Sequence, residues 1–254
     1  MKALLIDLDG VLRIGKSPAE GIAGFLNTIS EIKIPACIIS NSTLSSSVDI
    51  RKFFDANKIN CSVPIMTAAD ASLDYVRSRY KRVSVYCSEP VKSLFREIDF
   101  DKNPEAVLVG DMGKKWDFNI LNNIFKKVFN GADLIAMQKN RFWKTPEDGY
   151  LLDAGPFVTA IEYAVNKEAV LIGKPSPIYF KSALRTLGLD ENSEFVMLGD
   201  DIETDITGAR NIGGKTILIY TGKTKYPLPE NSPVKPDYEA ADLKEVISIL
   251  KQIF

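Results

Sequence analysis

The stretch Lys2-Ala3-Leu4-Leu5-Ile6-Asp7-Leu8-Asp9-Gly10-Val11-Leu12 decides the architecture. Its apolar run has no alternation up to Asp7, the pattern of a strand covered on both faces and so of the interior of a parallel sheet. Asp9-Gly10 is a turn signal. Two carboxylates at the end of a buried strand are costly unless a cation or a proton sits between them. Alternate residues of an extended chain share a face, so Asp7 and Asp9 can look into one pocket if the strand geometry continues past its end.

Outward from this strand the spacing predicts a helix over Pro18–Ser30, a strand over Ile34–Ile39 ending in Ser40-Asn41-Ser42-Thr43, and a helix over Ser45–Asn57. A short strand near Pro64–Met66 and a helix over Asp70–Tyr80 follow. This β-α-β-α-β-α order implies a parallel sheet with helices on both faces. The pattern restarts at Lys81 with strands Val83–Tyr86, Ala106–Val109 and Leu134–Met137 and an amphipathic helix over Asn119–Phe129. Ala154–Ala164 is helical, and Glu168–Ile172 is a strand leading into Gly173-Lys174-Pro175. The last third reads as helix Ile178–Leu187, strand Glu194–Leu198, the acidic turn Gly199–Asp205, helix Ile206–Asn211, strand Thr216–Ile219 and helix Asp242–Gln252. Four prolines make Tyr226–Pro236 an irregular loop.

With 254 residues, of which 45% are hydrophobic, the chain can bury a sizeable core. A net charge of −1 lacks the basic face that neutralising nucleic-acid phosphates requires, so no nucleic-acid partner is expected. The apolar runs are strand-sized, short of the about 20 residues that cross a bilayer, and no export signal is visible. Three cysteines without a CxxC pair suit a reducing compartment, here the cytoplasm. The chain has no histidine at all, which excludes Ser-His-Asp, Cys-His and His-ligated zinc chemistry in cis.

Open α/β sheets bind ligands beyond the carboxyl ends of their strands. Four such ends carry polar chemistry: Asp7-Leu8-Asp9-Gly10, Ser40-Asn41, Gly173-Lys174-Pro175 and Gly199-Asp200-Asp201 with Asp205. A hard divalent cation, Mg2+ before Ca2+, is the natural counter-charge for Asp7, Asp9 and Asp200. Lys174 adds a positive charge and Ser40 a hydroxyl donor, which together make a cradle for a tetrahedral anion. Singly, each end has a plainer explanation: a turn at Asp9-Gly10, a helix cap at Ser42 or Thr43, a solvated Lys174, and acids favouring the helix that starts near Ile206. Trp116, Phe142 and Trp143 read as packing residues, and the cysteines as structural.

The four ends, in this order, resemble the four motifs of the haloacid dehalogenase superfamily, and the second aspartate, Asp9, points to its phosphatase branch. Asp148-Gly149, Gly155-Pro156-Phe157, Glu162-Tyr163-Ala164 and Ile172-Gly173-Lys174-Pro175-Ser176-Pro177 are similar to its NagD-like subfamily IIA, which carries an inserted C2-type cap. The resemblance implies a Rossmann-like parallel-sheet core, residues 1–80 plus 169–254, with a smaller α/β cap inserted at 81–168.

It also implies a Mg2+-dependent phosphohydrolase acting on a small phosphorylated metabolite, with Asp7 as nucleophile of an aspartyl-phosphate route and Asp9 as acid and base. Asp7, Asp200 and the main-chain carbonyl of Asp9 would hold the metal, and Ser40, Asn41 and Lys174 the phosphate. Asp201 and Asp205 would orient Lys174 or metal-bound water; many relatives carry a basic residue at the position of Asp201. Candidate substrates range from P–N phospho-amino acids and pyrophosphate to nucleotides and sugar phosphates, and homodimer formation through the cap is a family-level expectation. The alternative is a phosphoacceptor or binding protein on the same fold with little turnover.

Overall fold

Ala3–Asp7, the expected buried strand, is buried along its whole length. Leu4, Leu5 and Ile6 are completely shielded from solvent, each side chain worth roughly 1.5–3 kcal/mol on burial, and this anchors the sheet at its centre. The computed structural model describes residues 2–100, 102–145, 148–232 and 234–254. Pro233, within the proline-rich loop, lies outside the described residues.

In chain order the elements begin with β1 (Ala3–Asp7), the two-residue strands β2 (Arg13–Ile14) and β3 (Ser17–Pro18), α1 (Ile22–Glu31), β4 (Ala36–Ser40), α2 (Ser47–Ala56) and β5 (Ile65–Thr67). Next come α3 (Ala68–Arg77), β6 (Val83–Tyr86), the short α4 (Glu89–Lys92), β7 (Ala106–Val109), α5 (Phe118–Phe129) and β8 (Asp133–Ala136). They are followed by β9 (Phe142–Thr145), β10 (Gly149–Leu152), α6 (Ala154–Val165) and β11 (Val170–Leu171). The chain finishes with α7 (Pro177–Thr186), β12 (Phe195–Gly199), a π-helical turn (Ile202–Ile206), α8 (Thr207–Arg210), β13 (Lys215–Ile219), β14 (Tyr238–Ala240) and α9 (Leu243–Ile253).

Two compact units result: Met1–Ser40, Ser47–Met66 and Lys174–Phe254 form one, and Asn41–Ser46 with Thr67–Gly173 form the other. The inserted unit is thus wider than residues 81–168, since it takes in α3 and the segment after Ser40. Thr67 shows how the second unit starts: its hydroxyl accepts from the Asp70 N–H, and the Asp70 carboxylate accepts from the Thr67 N–H, a capping box that nucleates α3.

The first unit holds a six-stranded sheet in the order β14-β13-β12-β1-β4-β5. β1 pairs in parallel with β4, Asp7 beside Ile39, and with β12, Ile6 beside Leu198. This register brings the carboxyl ends carrying Asp7, Ser40 and Asp200 to one edge. The second unit holds a four-stranded sheet, β11-β8-β7-β6, and the separate hairpin β9-β10.

Three local departures from the sequence-based expectation have physical causes. The first helix begins only at Ile22, because Gly21 adopts a left-handed conformation, and the preceding residues form the small β2-β3 pair. The helix expected at Ile206 is reached through the π-helical turn, in which the Asp205 and Ile206 N–H groups both donate to the Asp201 carbonyl. Hairpin β9-β10 and edge strand β14 escaped the pattern because such short strands carry too little periodicity.

Candidate active site

The carboxyl end of β1 delivers Asp7 into a buried cluster. Lys174 Nζ donates to Asp7 Oδ1 and lies 2.7 Å from Asp205 Oδ1. Lys174 is only 3% exposed, as deeply placed as the acids it meets. Asp200 completes the group: one carboxylate oxygen from each of Asp7, Asp200 and Asp205 lies within 4.8 Å of the others.

Glycines permit this crowding. Gly10, with φ of +89°, and Gly222 both press their Cα atoms against the Asp200 carboxylate, and a Cβ at either would overlap it. Gly199 does the same for the Asp205 side chain. The loop after β13 wraps Asp200 from the other side. The Lys223 N–H donates to its carboxylate, and the Thr224 N–H donates to its carbonyl at 2.9 Å.

Three acids against one ammonium leave surplus negative charge. Burial pushes the Asp7 carboxyl well up, countered by Lys174 and reinforced by Asp205, Asp200 and Asp9. Burial and the Asp205 charge push Asp200 up to about 7. Burial likewise raises Asp205. Burial alone would strip the proton from Lys174, but Asp205 and Asp7 outweigh it and hold the ammonium charged. A hard, all-oxygen donor set with unneutralised charge, and glycines that leave no side chain in front of Asp200, fits a divalent cation such as Mg2+.

The other expected residues are placed as follows. Asp9 lies past the strand end, where the turn closed by Leu12 N–H to Leu8 carbonyl redirects the chain. Its half-exposed carboxylate receives both Nε (2.7 Å) and Nη2 (3.0 Å) of Arg13. Asp201 turns away from Lys174. Its carboxylate accepts from Lys223 Nζ and, at 2.9 Å, from the Glu203 N–H. Burial would raise this carboxyl, but Lys223 prevails and lowers it. Asp205, the other residue expected to orient neighbours, sits inside the acidic cluster and accepts from the Asp201 N–H at 3.2 Å.

Asn41 opens the segment belonging to the second unit, where its Oδ1 faces Gly173 so closely that a Cβ there would collide. In the same unit the Thr43 hydroxyl accepts from the Asp111 N–H at 3.2 Å. Ser42, a candidate helix cap, instead closes the turn before α2 by accepting from the Leu44 and Ser45 N–H groups. Trp116 stacks on Phe157 with ring centroids 4.4 Å apart, a packing role.

Ser40 is buried, and its backbone is gripped by a residue that sequence reasoning passed over. The Tyr179 hydroxyl accepts from the Ser40 N–H (3.0 Å) and faces the carbonyls of Ser40 (2.6 Å) and Met66 (3.0 Å). Sequence reasoning also passed over Arg13, Gly222 and Lys223. Tyr179 is indistinguishable in pattern from the aromatic residues that merely fill α7's buried face, and Lys223 from a loop lysine.

Comparison with known proteins gives the family. Residues 4–101 match the model of the haloacid dehalogenase-like hydrolases, and residues 171–246 match a second, HAD-hydrolase-like model. Haloacid dehalogenase-like hydrolase domain-containing protein 2 of Bos taurus is 33% identical over 93% of this chain and 90% of its own. The chain belongs to the haloacid dehalogenase-like hydrolase family. Within it, the phospholysine phosphohistidine inorganic pyrophosphate phosphatase of Homo sapiens is 31% identical over 99% of this chain and 95% of its own. A p-nitrophenyl phosphatase from Archaeoglobus fulgidus superimposes with a TM-score of 0.89 at 25% identity, covering 98% of both chains. The chain is thus an enzyme, a phosphatase of the haloacid dehalogenase-like family with a parallel-sheet α/β core.

Proposed function

We propose that this haloacid dehalogenase-like phosphatase hydrolyses a small phosphorylated metabolite in a Mg2+-dependent reaction through an aspartyl-phosphate on Asp7. The observation that carries the reading is the buried ammonium of Lys174 held between Asp7 and Asp205 beside Asp200. Asp7, Asp200 and the Asp9 carbonyl would hold Mg2+. Asp205 is ion-paired with Lys174 and accepts from the Asp201 N–H, which suits it to balancing charge beside the metal. When bound, the cation supplies positive charge to the transferring phosphoryl group.

The chain's own groups do the rest. An Asp7 carboxylate oxygen attacks phosphorus in line, and the bond to the leaving oxygen or nitrogen breaks. Asp9 donates a proton to that leaving atom, then accepts one from the water that attacks the aspartyl-phosphate, which returns Asp7 and releases inorganic phosphate. For this the Asp9 carboxylate leaves the guanidinium of Arg13, a half-exposed pair whose surface position makes it cheap to open. Lys174 holds the nucleophile in place and Ser40, with Asn41, donates to phosphate oxygens. The inserted unit, as cap, selects the substrate. The chemistry named in its relatives puts phospholysine, phosphohistidine and pyrophosphate first on a substrate panel.

No helix of the described residues is long and apolar enough to cross a membrane. Three unpaired thiols favour a reducing compartment, the cytoplasm, and light scattering tests for a homodimer. The deciding experiment is hydrolysis of p-nitrophenyl phosphate with and without Mg2+, beside Asp7→Asn. Turnover that needs both the metal and Asp7 is expected. Wild-type turnover by Asp7→Asn removes the nucleophile assignment, and a stoichiometric phosphoenzyme without turnover identifies a phosphoacceptor instead.

A further inference from the structure

Lys174 and Tyr179 belong to one short segment. Ser176 caps α7 by accepting from the Ile178 N–H, Pro177 occupies its first turn, and Tyr179 follows, with its side chain completely buried. The same turn that seats Lys174 on Asp7 therefore drives a phenol toward the carboxyl ends of β4 and β5.

What the hydroxyl does there follows from the ladder. β4 and β5 are neighbours, and the Ile38 N–H donates directly to the Pro64 carbonyl at 2.8 Å. Parallel ladders repeat every two residues, so the next rung joins the Ser40 N–H to the Met66 carbonyl. Both groups also bond the Tyr179 hydroxyl, each at 3.0 Å. It also approaches the Ser40 carbonyl, on the same side of the strand as the Ser40 N–H. A buried hydroxyl that bonds both the N–H and the carbonyl of Ser40 fixes the main chain at that residue.

We infer that Tyr179 is a positioning residue for phosphate binding: its hydroxyl, bonded to the Ser40 N–H and to the Ser40 and Met66 carbonyls, sets where Ser40 presents its donors. The inference rests on the assignment of Ser40 to the phosphate made above. Without the hydroxyl, the main chain at Ser40 loses the contacts that Tyr179 makes to its N–H and carbonyl. That loss displaces or loosens Ser40. A small misplacement of a positioned group costs about tenfold or more, and leaving one buried polar group unpaired costs a similar factor.

The test uses the full chain with p-nitrophenyl phosphate as substrate and inorganic phosphate as inhibitor. Tyr179→Phe is expected to raise KM and the phosphate inhibition constant about tenfold while kcat moves less. In a Ser40→Ala background the same substitution is expected to change neither further, because the group it positions is gone. Site-specific 4-aminophenylalanine at 179, whose amine donates to both carbonyls, should return part of the phosphate affinity that Tyr179→Phe loses. It also serves if Tyr179→Phe does not fold.

Unchanged KM and phosphate inhibition in Tyr179→Phe, whatever its melting temperature, overturn the inference. So does an equal loss in the presence and absence of Ser40, which would mark a purely structural role, and so does failure of the amine to rescue. If Ser40→Ala alone binds phosphate as wild type does, the assignment of Ser40 fails, and that result is separate from the behaviour of Tyr179→Phe.

Discussion

Lys174→Met tests whether the cluster depends on one buried charge. Methionine keeps most of the lysine stem's volume, so the substitution removes the ammonium while disturbing packing little. Lys174 is 3% exposed and pairs with Asp7, 6% exposed, and Asp205, 1% exposed. Removing one partner of so deeply buried a pair costs about 3–5 kcal/mol, because the remaining charges stay unneutralised. For a chain of this size, about 2–4 °C of melting temperature accompanies each kcal/mol. A drop of roughly 10 °C is therefore expected by circular dichroism in EDTA at pH 8. The drop should shrink at pH 5, where the surplus carboxyls, already pushed upward by burial, take up protons instead. Millimolar Mg2+ should restore part of it, and hydrolysis of p-nitrophenyl phosphate should fall by about a hundredfold or more. A Lys174→Met protein that melts within about 2 °C of wild type in EDTA at pH 8 would refute the reasoning, since three buried carboxylates would then need no neighbouring cation.

In EDTA the wild-type protein should itself lose melting temperature as pH rises through about 7, the position of the Asp200 carboxyl, against an ordinary 3.8 in the unfolded chain. A raised carboxyl holds its proton in the folded state, so its stabilising share is full below the unfolded value and is lost through the folded one; a flat profile contradicts this. Gly222→Ala, whose Cβ would overlap the Asp200 carboxylate, should raise the Mg2+ concentration for half-maximal activity several-fold with little change in secondary structure. An unchanged metal titration would show that the loop gives way. Burial pushes the Cys37 and Cys87 thiols up to about 12; it also raises Cys61, which is only half-buried. Ellman's reagent should therefore titrate no more than one thiol in the native protein at pH 8, that of Cys61, and all three after unfolding; a fast second thiol would place Cys37 or Cys87 nearer solvent.

The strands of the parallel sheets were legible wherever burial on both faces leaves a continuous apolar run, as in Ala3–Asp7 and Ala106–Val109. Strand β14 and hairpin β9-β10 are too short or too exposed to leave such a trace. Asp7, Lys174 and Asp200 stood out in the sequence only together, because charged groups follow several apolar strands in one motif order although each alone has a plainer explanation. Asp205 was expected as a neighbour of the site and proves to be inside its acidic cluster, since the π-helical turn carries it back toward Lys174. Asp201 meets Lys223, which comes from a loop some twenty residues away in the chain.

By itself the sequence determined most of the order of the parallel strands and helices and marked the four strand ends where polar residues follow apolar runs. These are local properties: burial period, turn residues and charges placed where apolar runs stop. Only the tertiary structure decided which partners those charges meet. Arg13 takes the Asp9 carboxylate, Gly10 and Gly222 clear the space around Asp200, and the Tyr179 hydroxyl bonds the main chain of Ser40. A hydroxyl, a glycine or a loop lysine looks the same in sequence wherever it lands. Its effect depends on register and on distances between segments far apart in the chain.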